Sequence, residues 1–308
     1  MSLKDFQQTS ALGPDALFLL EGATFDTSPG GRHRPKQIVI HALPLSKLPV
    51  AMRNMGWHTS AALMQRWFDS PAWQMPEEWK NERTQPLSTD IPRFQCDENI
   101  VKMSWAMSFE RCRIAVKKAD SLIATPKAIF RLKELLEKSG WKNNSILTLG
   151  SSALSAREID AVSQVNFVSL GSSDDTLDDM YGALGIATLK IGVVGTTLIR
   201  KDPETNVLHN YFHVERVGFY IRDHYDFNGP QFLGIWTANR VLTKREMLRT
   251  SIPSGQSIYK WSTDEVALIT NNDFRKYRDK IGMGGDYVLY SDVLWRNTDK
   301  TIDLGPCT

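Results

Sequence analysis

The sequence of 308 residues lacks an excess of charge and a set of paired cysteines. Its 37 Lys and Arg against 35 Asp and Glu give a formal net charge of +2. This balance is too close to favour nucleic acid or an anionic membrane surface as a partner. The three cysteines, Cys96, Cys112 and Cys307, are far apart, so the sequence predicts neither a disulfide framework nor a zinc site. Because the charges nearly balance, we expect no nucleic-acid partner.

Long apolar runs are also missing. The first 22 residues contain one short apolar run, Ala16–Leu20, between Asp15 and Glu21. A secretory signal needs a longer apolar core behind a basic leader, and a membrane-spanning helix needs about 20 apolar residues. We therefore expect a protein without a transmembrane segment. It is predicted to be cytoplasmic in the producing cell, unless a route other than general secretion exports it.

The composition is that of a folded chain, with 42% hydrophobic and 23% charged residues. Residues 1–47 are rich in turn formers and predict an irregular lead-in. Helical patterns predict a mainly helical domain over residues 48–144, and strand patterns predict a β-rich domain over residues 145–308. The predicted fold class is α+β, with a helical N-terminal part followed by a curved, mostly antiparallel, barrel-like β-sheet.

Helical signals dominate the predicted N-terminal domain. Pro49 suits the first turn of a helix, and apolar residues recur at helical spacing over residues 57–68. Pro126, preceded by a threonine, predicts the start of another helix. Residues 101–109 alternate between apolar and polar as a strand does, but they run without a break into a helical pattern. Both a strand and a helix therefore remain open for this segment.

Strand signals dominate the predicted C-terminal domain. The two longest runs, 186–200 and 207–226, are joined by the turn-forming residues 201–206 and predict a hairpin. Gly192 and Gly195 inside the first run predict a bend or bulge. This bend is the main reason for expecting a curved sheet.

The end of the second long run is the candidate site. Apolar residues alternate from 217 to 221, and the same alternation places Asp223 and Tyr225 on the apolar face, with Asp226 following where the chain turns. Polar groups at the rim of an apolar face are costly unless they are hydrogen-bonded or used. Two carboxylates and a phenol could hold a divalent metal or act as a general base beside a phosphoryl group. The alternative is a structural turn, because the sequence of residues 226–230 is typical of turns.

Several short motifs are spread over residues 48–296. They are MRNMGW (52–57) with AALM (61–64), DMYGALG (179–185), YDF (225–227) through QFLG (231–234), and GGDY (284–287) with SD (291–292). In these motifs the chain resembles an uncharacterised family of Proteobacterial proteins that are often encoded near type VI secretion or polymorphic-toxin genes. The resemblance implies an association with such a system but carries no settled activity.

A second pattern covers residues 183–292. A Leu-Gly stretch leads into paired strands, and a strand then ends in Asp-x-Tyr-Asp, with Asp223, Tyr225 and Asp226 at the three fixed positions. In this pattern the chain resembles the catalytic domain of colicin M and its relatives. Those toxins cleave lipid II, the lipid-linked peptidoglycan precursor, at its phosphoester with a divalent cation. The resemblance implies that these three residues are catalytic and that Asp223 and Asp226 bind Mg²⁺ or another divalent cation.

The chain departs from the colicin M pattern at one point. The family has a His-Arg pair after the Asp-x-Tyr-Asp motif, and Phe232 and Leu233 stand at the corresponding positions here. His224 and Arg240 are the residues of this chain that could take the place of that pair. We therefore include both among the candidate catalytic residues.

The predicted function is that of an antibacterial effector that is exported to the periplasm of a target bacterium. It would hydrolyse a phosphoester of a lipid II-like cell-envelope precursor, with Asp223 and Asp226 binding metal or acting as base and Tyr225 orienting the scissile group. The alternative is a non-catalytic adaptor, chaperone or structural protein of the same secretion or toxin system. The expected protein partners are a component of the secretion machine, a chaperone or an immunity protein.

Overall fold

The computed structural model describes residues 43–81, 84–202, 205–250 and 266–307. Most of the predicted irregular lead-in, residues 1–42, lies outside the described residues. The rest of the chain has a helical N-terminal part, followed by a curled half-barrel of mostly antiparallel strands in the C-terminal region. The predicted α+β class is confirmed.

Helices occur along the whole described chain. They are α1 (Leu48–Asn54), α2 (His58–Asp69), α3 (Met103–Ala106), α4 (Glu110–Asp120), α5 (Pro126–Lys138), α6 (Ala156–Val162), α7 (Asp179–Leu184), α8 (Lys244–Thr250) and α9 (Asn271–Ile281). Helix α5 begins where the sequence predicts, because the Thr125 hydroxyl accepts the N–H of Ala128 and Pro126 occupies the first turn. Of the two alternatives for residues 101–109, the structure has the helical one.

The physical reason lies in the residues that follow. Cys112, Ala115, Val116 and Ala119 are buried along one face of α4, at the three- and four-residue spacing of a helix. Helix α4 packs with this face toward the strand Gln164–Leu170. The alternation over 101–109 is too short to compete with this longer helical pattern.

The strands form two sheets. They are β1 (Cys96–Asp97), β2 (Thr148–Leu149), β3 (Gln164–Leu170), β4 (Ala187–Lys201), β5 (Leu208–Tyr225), β6 (Phe232–Thr237), β7 (Val266–Thr270), β8 (Tyr287–Tyr290) and β9 (Leu294–Pro306). The seven-stranded sheet has the order β1-β8-β5-β4-β2, with β3 also beside β4 and β9 also beside β5. Its pairs are antiparallel except for β1 with β8, and β6 and β7 form a separate antiparallel pair.

The predicted hairpin is the centre of the large sheet. Strands β4 and β5 pair from Thr188 with Arg222 to Lys201 with Leu208, and the register shifts between Val194 and Gly195. The bulge therefore lies at one of the two glycines that predict it. A Cβ at Gly195 would overlap the main-chain oxygen of the neighbouring strand, so this close approach needs glycine.

The described chain divides into two compact units, each built from separate segments. The first unit comprises the described residues up to Gln74 together with Leu177–Ala183 and Asp226–Asp286. The second unit comprises Met75–Thr176, Leu184–Tyr225 and the described residues from Tyr287 onward, and it contains the whole seven-stranded sheet. Each unit draws on both predicted domains, 48–144 and 145–308.

An aromatic cluster around Trp67 forms the core of the first unit. The indole of Trp67 is fully buried and contacts the rings of Phe68, Phe227 and Phe274 edge-on, at centroid distances of 5.0–5.3 Å. Its Nε1 donates a hydrogen bond to Asp286 at 3.0 Å. Edge-to-face packing with a satisfied indole N–H is a stable arrangement for a buried tryptophan.

The core of the second unit lies on the large sheet. Phe212, Phe219, Ile221 and Leu189 are fully buried along β4 and β5, as expected of strands with long apolar stretches. Among the residues that the structure describes, no helix combines the length and the hydropathy that crossing a bilayer requires.

Candidate functional site at the end of strand β5

The last residues of β5 include three of the five predicted catalytic residues. Strand β5 pairs with β8 in unbroken register from Arg222 to Tyr225. Because side chains alternate along a strand, Asp223 and Tyr225 lie on one face of the sheet, and Arg222 and His224 lie on the other. The strand therefore separates Asp223 and Tyr225 from His224, the candidate replacement for the His-Arg pair of the colicin M family.

On the face of the sheet that they share, Tyr225 is buried and Asp223 is half-buried. The Tyr225 ring is buried and stacks on Tyr287, with the ring centroids 5.2 Å apart. Burial, and after it the negative charge of Asp223, raises the pKa of the Tyr225 phenol well above its ordinary value. The Oδ1 atom of half-buried Asp223 accepts the main-chain N–H of His224 at 2.8 Å. Tyr225 is therefore protonated at neutral pH, and one oxygen of Asp223 binds the main chain.

Asp226 lies in the turn that follows β5 and belongs to the first unit. Its Oδ1 accepts the main-chain N–H of Asn228 at 3.0 Å. A carboxylate that binds the amide two residues ahead forms an Asx turn. This geometry is the one that the turn alternative for residues 226–230 predicts.

Arg240, also in the first unit, binds a carboxylate near the start of α8. Its two terminal nitrogens, Nη1 and Nη2, lie 2.8 and 2.9 Å from the two carboxylate oxygens of Glu246. The N–H and hydroxyl groups of Thr243 donate to the same carboxylate at 2.8 and 2.9 Å. The hydrogen bond from Arg240, and then the one from the Thr243 main chain, lower the pKa of Glu246 to about 2. Arg240 therefore stabilises the capping carboxylate of α8.

The five predicted residues are divided between the two units, since Asp223, His224 and Tyr225 belong to the second unit. In the described part of the chain, no three His, Cys, Asp or Glu side chains lie close enough together to hold a metal ion. The divalent-cation site at Asp223 and Asp226 stays a prediction.

A buried charged cluster, here called the Asp160 cluster, lies on the opposite face of β5 in the second unit. Lys190 Nζ and the Tyr220 hydroxyl contact Asp160 Oδ1 at 2.9 and 2.8 Å. The Tyr290 hydroxyl donates to Oδ2 at 3.2 Å, and Arg222 Nη1 lies 3.8 Å from the same oxygen. The side chains of Asp160, Lys190 and Arg222 are only 5–7% exposed. One buried carboxylate thus contacts two buried cations and two phenols.

Both phenols of the cluster act as hydrogen-bond donors. Burial, and after it the charge of Asp160, raises the pKa of Tyr220 and of Tyr290 well above the ordinary value. The guanidinium of Arg222 also lies 5.7 Å from the centroid of the Tyr290 ring and donates to the side-chain oxygen of Gln85. The cluster therefore surrounds its one carboxylate with two cations and two hydroxyl donors.

His224 lies beside this positive charge on the same face of β5. Burial is the main cause that lowers its pKa to about 4, and the charges of Arg222, Lys80 and Lys190 lower it further. A hydrogen bond with the main chain of Trp79 acts in the opposite direction. His224 is therefore neutral at neutral pH, in surroundings that favour an anion.

Local sequence explains how Asp160 reaches the sheet. Helix α6 begins with a capping box in which Ser155 accepts the N–H of Glu158 and Glu158 accepts the N–H of Ser155. A Cβ at Gly192 on β4 would overlap the side chain of Ile159 on α6, so glycine allows the helix to approach closely. This approach brings Asp160 within hydrogen-bond distance of Lys190.

The sequence analysis does not identify the Asp160 cluster. One signal was present, because Lys190 lies within an apolar strand segment, where a cation needs a buried partner. Asp160 lies 30 positions earlier, on a short helix, and nothing in the spacing pairs the two residues. The missing information is the packing of α6 on the sheet.

These features define an α+β protein with a half-barrel sheet and a buried charged cluster on one face. A family model matches residues 43–305, described as a family of unknown function (DUF6402), and the chain belongs to that family. Comparisons with curated proteins and with solved structures gave no match.

Proposed function

We propose that this protein is a non-catalytic binding protein of a contact-dependent secretion or toxin system, acting as an adaptor, chaperone or structural component. The observation that carries the proposal is that residues expected to be catalytic have structural contacts. The association with such a system is supported by the resemblance in the motifs between residues 48 and 296. The expected partner is a protein of the same system.

The contacts of the charged residues support this choice. Asp226 binds the amide of Asn228 within its own turn, and one oxygen of Asp223 binds the amide of His224. Arg240 forms two hydrogen bonds to Glu246. A residue that acts on a substrate must be able to contact it, and a side chain that forms a turn or a helix cap already has a structural role.

A cleavage assay tests the proposal. Purified protein is incubated with lipid II and Mg²⁺, beside a lipid II-cleaving enzyme as positive control, and the products are separated by chromatography. We expect no product from the wild type. A product that the wild type forms and the Asp226→Ala variant does not form would overturn the binding function in favour of the hydrolase.

The hydrolase is the second candidate, and one observation favours it. Asp223 and Tyr225 share one face at the end of a long strand of a half-barrel sheet, as the resemblance to colicin M implies. In that function the protein is made in the cytoplasm, is exported to the periplasm of a target cell, and acts there with Mg²⁺ or another divalent cation. Tyr225 would orient the scissile group by donating a hydrogen bond to one of its oxygens, because its phenol stays protonated.

Expression in two compartments of a test bacterium separates the two candidates. Lysis with the protein directed to the periplasm, and none with the protein in the cytoplasm, supports the hydrolase. Normal growth in both cases, with the protein detected in both compartments, supports the binding protein. The Asp223→Asn variant serves as the control for any lysis.

A further inference from the structure

A cavity of about 300 Å³ lies in the second unit, between the C-terminal end of α5 and strands β5 and β9. Lys133 and Glu137 of α5 line it, together with Trp141 just beyond the helix. Asn210 of β5 and Leu304 of β9 line it from the sheet. Small-molecule sites in proteins have volumes of about 300–1,000 Å³, so this cavity has room for one small ligand.

The indole of Trp141 is held in place at the edge of the cavity. Helix α5 ends in a Schellman motif, in which Gly140 has a φ of 88° and the N–H of Trp141 binds the Leu136 carbonyl at 2.9 Å. The indole Nε1 of Trp141 donates to the Ser145 carbonyl at 3.0 Å. Both the main chain and the half-buried ring of Trp141 are therefore fixed, and a ligand that packs on the ring does not have to order it first.

Asparagine side chains fix the loop that follows Trp141 against β5. The amide nitrogen of Asn210 donates to Oδ1 of Asn143, and Oδ1 of Asn210 accepts the main-chain N–H of Asn144 at 3.1 Å. Asn144 has a φ of 66°, a left-handed conformation that asparagine adopts more readily than most residues. Asn143 also lines the cavity. The cavity therefore has a preformed wall of hydrogen-bonded loop and strand.

Lys133 and Glu137 bring opposite charges to the cavity. They are four residues apart on α5 and therefore lie on the same side of the helix. Neither side chain forms a hydrogen bond or an ion pair with any residue that the structure describes. Lysine before glutamate is also the less favourable order for an ion pair at this spacing. The cavity therefore offers an ammonium donor and a carboxylate acceptor whose charges cancel.

We infer that this cavity binds one neutral pyranose sugar. Each sugar hydroxyl can both donate and accept a hydrogen bond, so neighbouring hydroxyls donate to Glu137 and accept from Lys133. The C–H face of the sugar ring packs on the indole of Trp141, because the face of an aromatic ring is negative and C–H groups are weak donors.

Other kinds of small ligand fit these groups less well. A wholly apolar ligand would desolvate Lys133 and Glu137 without giving either a partner, and a simple ion would be repelled by one of the two. None of the lining residues belongs to the candidate site at the end of β5. The inference is therefore independent of the proposed function.

Saturation-transfer NMR on the full chain tests the inference. Glucose, galactose, mannose and N-acetylglucosamine are the neutral probes, and each is titrated separately. The rival probe is β-alanine, a small zwitterion whose two charges could pair with Glu137 and Lys133. We expect saturable binding of at least one sugar. No saturable binding of any of the four sugars, or tighter binding of β-alanine than of every sugar, would overturn the inference.

Variants of the lining residues locate the bound sugar. Trp141→Ala should lower the affinity for that sugar about tenfold, and Trp141→Phe should recover part of the loss. Glu137→Ala, at an exposed position, should also lower the affinity about tenfold. The matched control is Lys138→Ala, because Lys138 is exposed on the same helix and does not line the cavity. Its affinity should equal that of the wild type.

Circular dichroism establishes that each variant is folded before titration. Wild-type affinity in folded Trp141→Ala and Glu137→Ala variants would place the sugar elsewhere and contradict the assignment of this cavity.

Discussion

At the scale of single residues, the Asp160 cluster shows how one carboxylate stabilises several buried groups. Lys190 and Tyr220 contact the same oxygen of Asp160, and Tyr290 contacts the other. Removing one partner of a buried ion pair leaves an uncompensated charge, which costs about 3–5 kcal/mol. The cluster is therefore a strong constraint on the position of α6 against β4 and β5.

The pKa of His224 predicts a dependence of stability on pH. It is about 4 in the folded protein, against an ordinary value of 6.5, so between these values the unfolded chain binds a proton that the folded chain does not. The free energy of unfolding should therefore fall as the pH falls through this range, by about 2 kcal/mol from pH 7 to pH 5. Urea unfolding of the wild type and of His224→Gln at both pH values measures this contribution as a difference.

The control for this measurement is the exposed histidine His58, which begins α2. The His58→Gln variant should keep the full pH dependence of the wild type, whereas His224→Gln should lose about 2 kcal/mol of it. If His224→Gln and the wild type lost the same free energy between pH 7 and pH 5, His224 would not be the neutral, buried group described above.

At the scale of elements, the turn after α9 shows how a glycine-rich segment fits against an aromatic core. Gly282, which caps the C-terminal end of helix α9, has a φ of 72°, and Gly284 follows with a φ of 101°. A Cβ at Gly284 would overlap the indole of Trp67, whereas a Cβ at Gly282 would meet nothing within 4 Å. The two glycines share a left-handed conformation and differ in the space around them.

Because only the space around the two glycines differs, alanine at Gly284 and alanine at Gly282 form a matched pair of variants. Gly284→Ala should lower the free energy of unfolding by about 3 kcal/mol, because backbone strain adds to overpacking against Trp67. Gly282→Ala carries only the strain and should lose about 1 kcal/mol. Chemical denaturation of both variants measures the two losses, and equal losses would contradict the described packing of Gly284.

Regular elements with long patterns were predictable from the sequence. The hairpin of β4 and β5 was predicted because both runs are long and a turn-forming segment joins them. Helix α5 was predicted because Thr125 and Pro126 mark its start. The sequence leaves segment 101–109 ambiguous, because so short an alternation is compatible with both a strand and a helix. Only the packing of α4 decides between the two.

The site was less predictable than the fold. Alternation along β5 correctly placed Asp223 and Tyr225 on one face, because strand periodicity is a local property. The bonds of Asp160 to Lys190 and Tyr220 depend on residues 30 and 60 positions away, on a helix and two strands. Only the packing of three elements brings these residues together, and periodicity carries no information about it.

At the scale of the whole molecule, both compact units draw on distant parts of the chain. The first unit combines Trp67 with Phe274 and Asp286, and in the second unit β1 pairs with β8. The predicted boundary at residue 144 would place the two partners of each of these contacts in different domains, 48–144 and 145–308. The boundary at residue 144 is therefore a testable prediction about independent folding.

We expect that fragments 48–144 and 145–308, expressed separately, do not unfold cooperatively, because each lacks the partners of its buried groups. Thermal unfolding, monitored by circular dichroism, shows whether each fragment has a cooperative transition. Co-expression of the two fragments is the matched control and should give a complex with a sharp transition. A sharp transition of either fragment alone would establish it as an independent domain and contradict the expectation.

The hydrogen bond from Trp67 to Asp286 joins residues 219 positions apart. At about 5–20 residues per second, a ribosome adds the second of them roughly 10 to 40 s after the first. Throughout that interval the nascent polypeptide carries a large indole ring without its final neighbours. Exposed apolar surface makes folding intermediates prone to aggregation, so we expect this chain to be most vulnerable to aggregation while it is being synthesised.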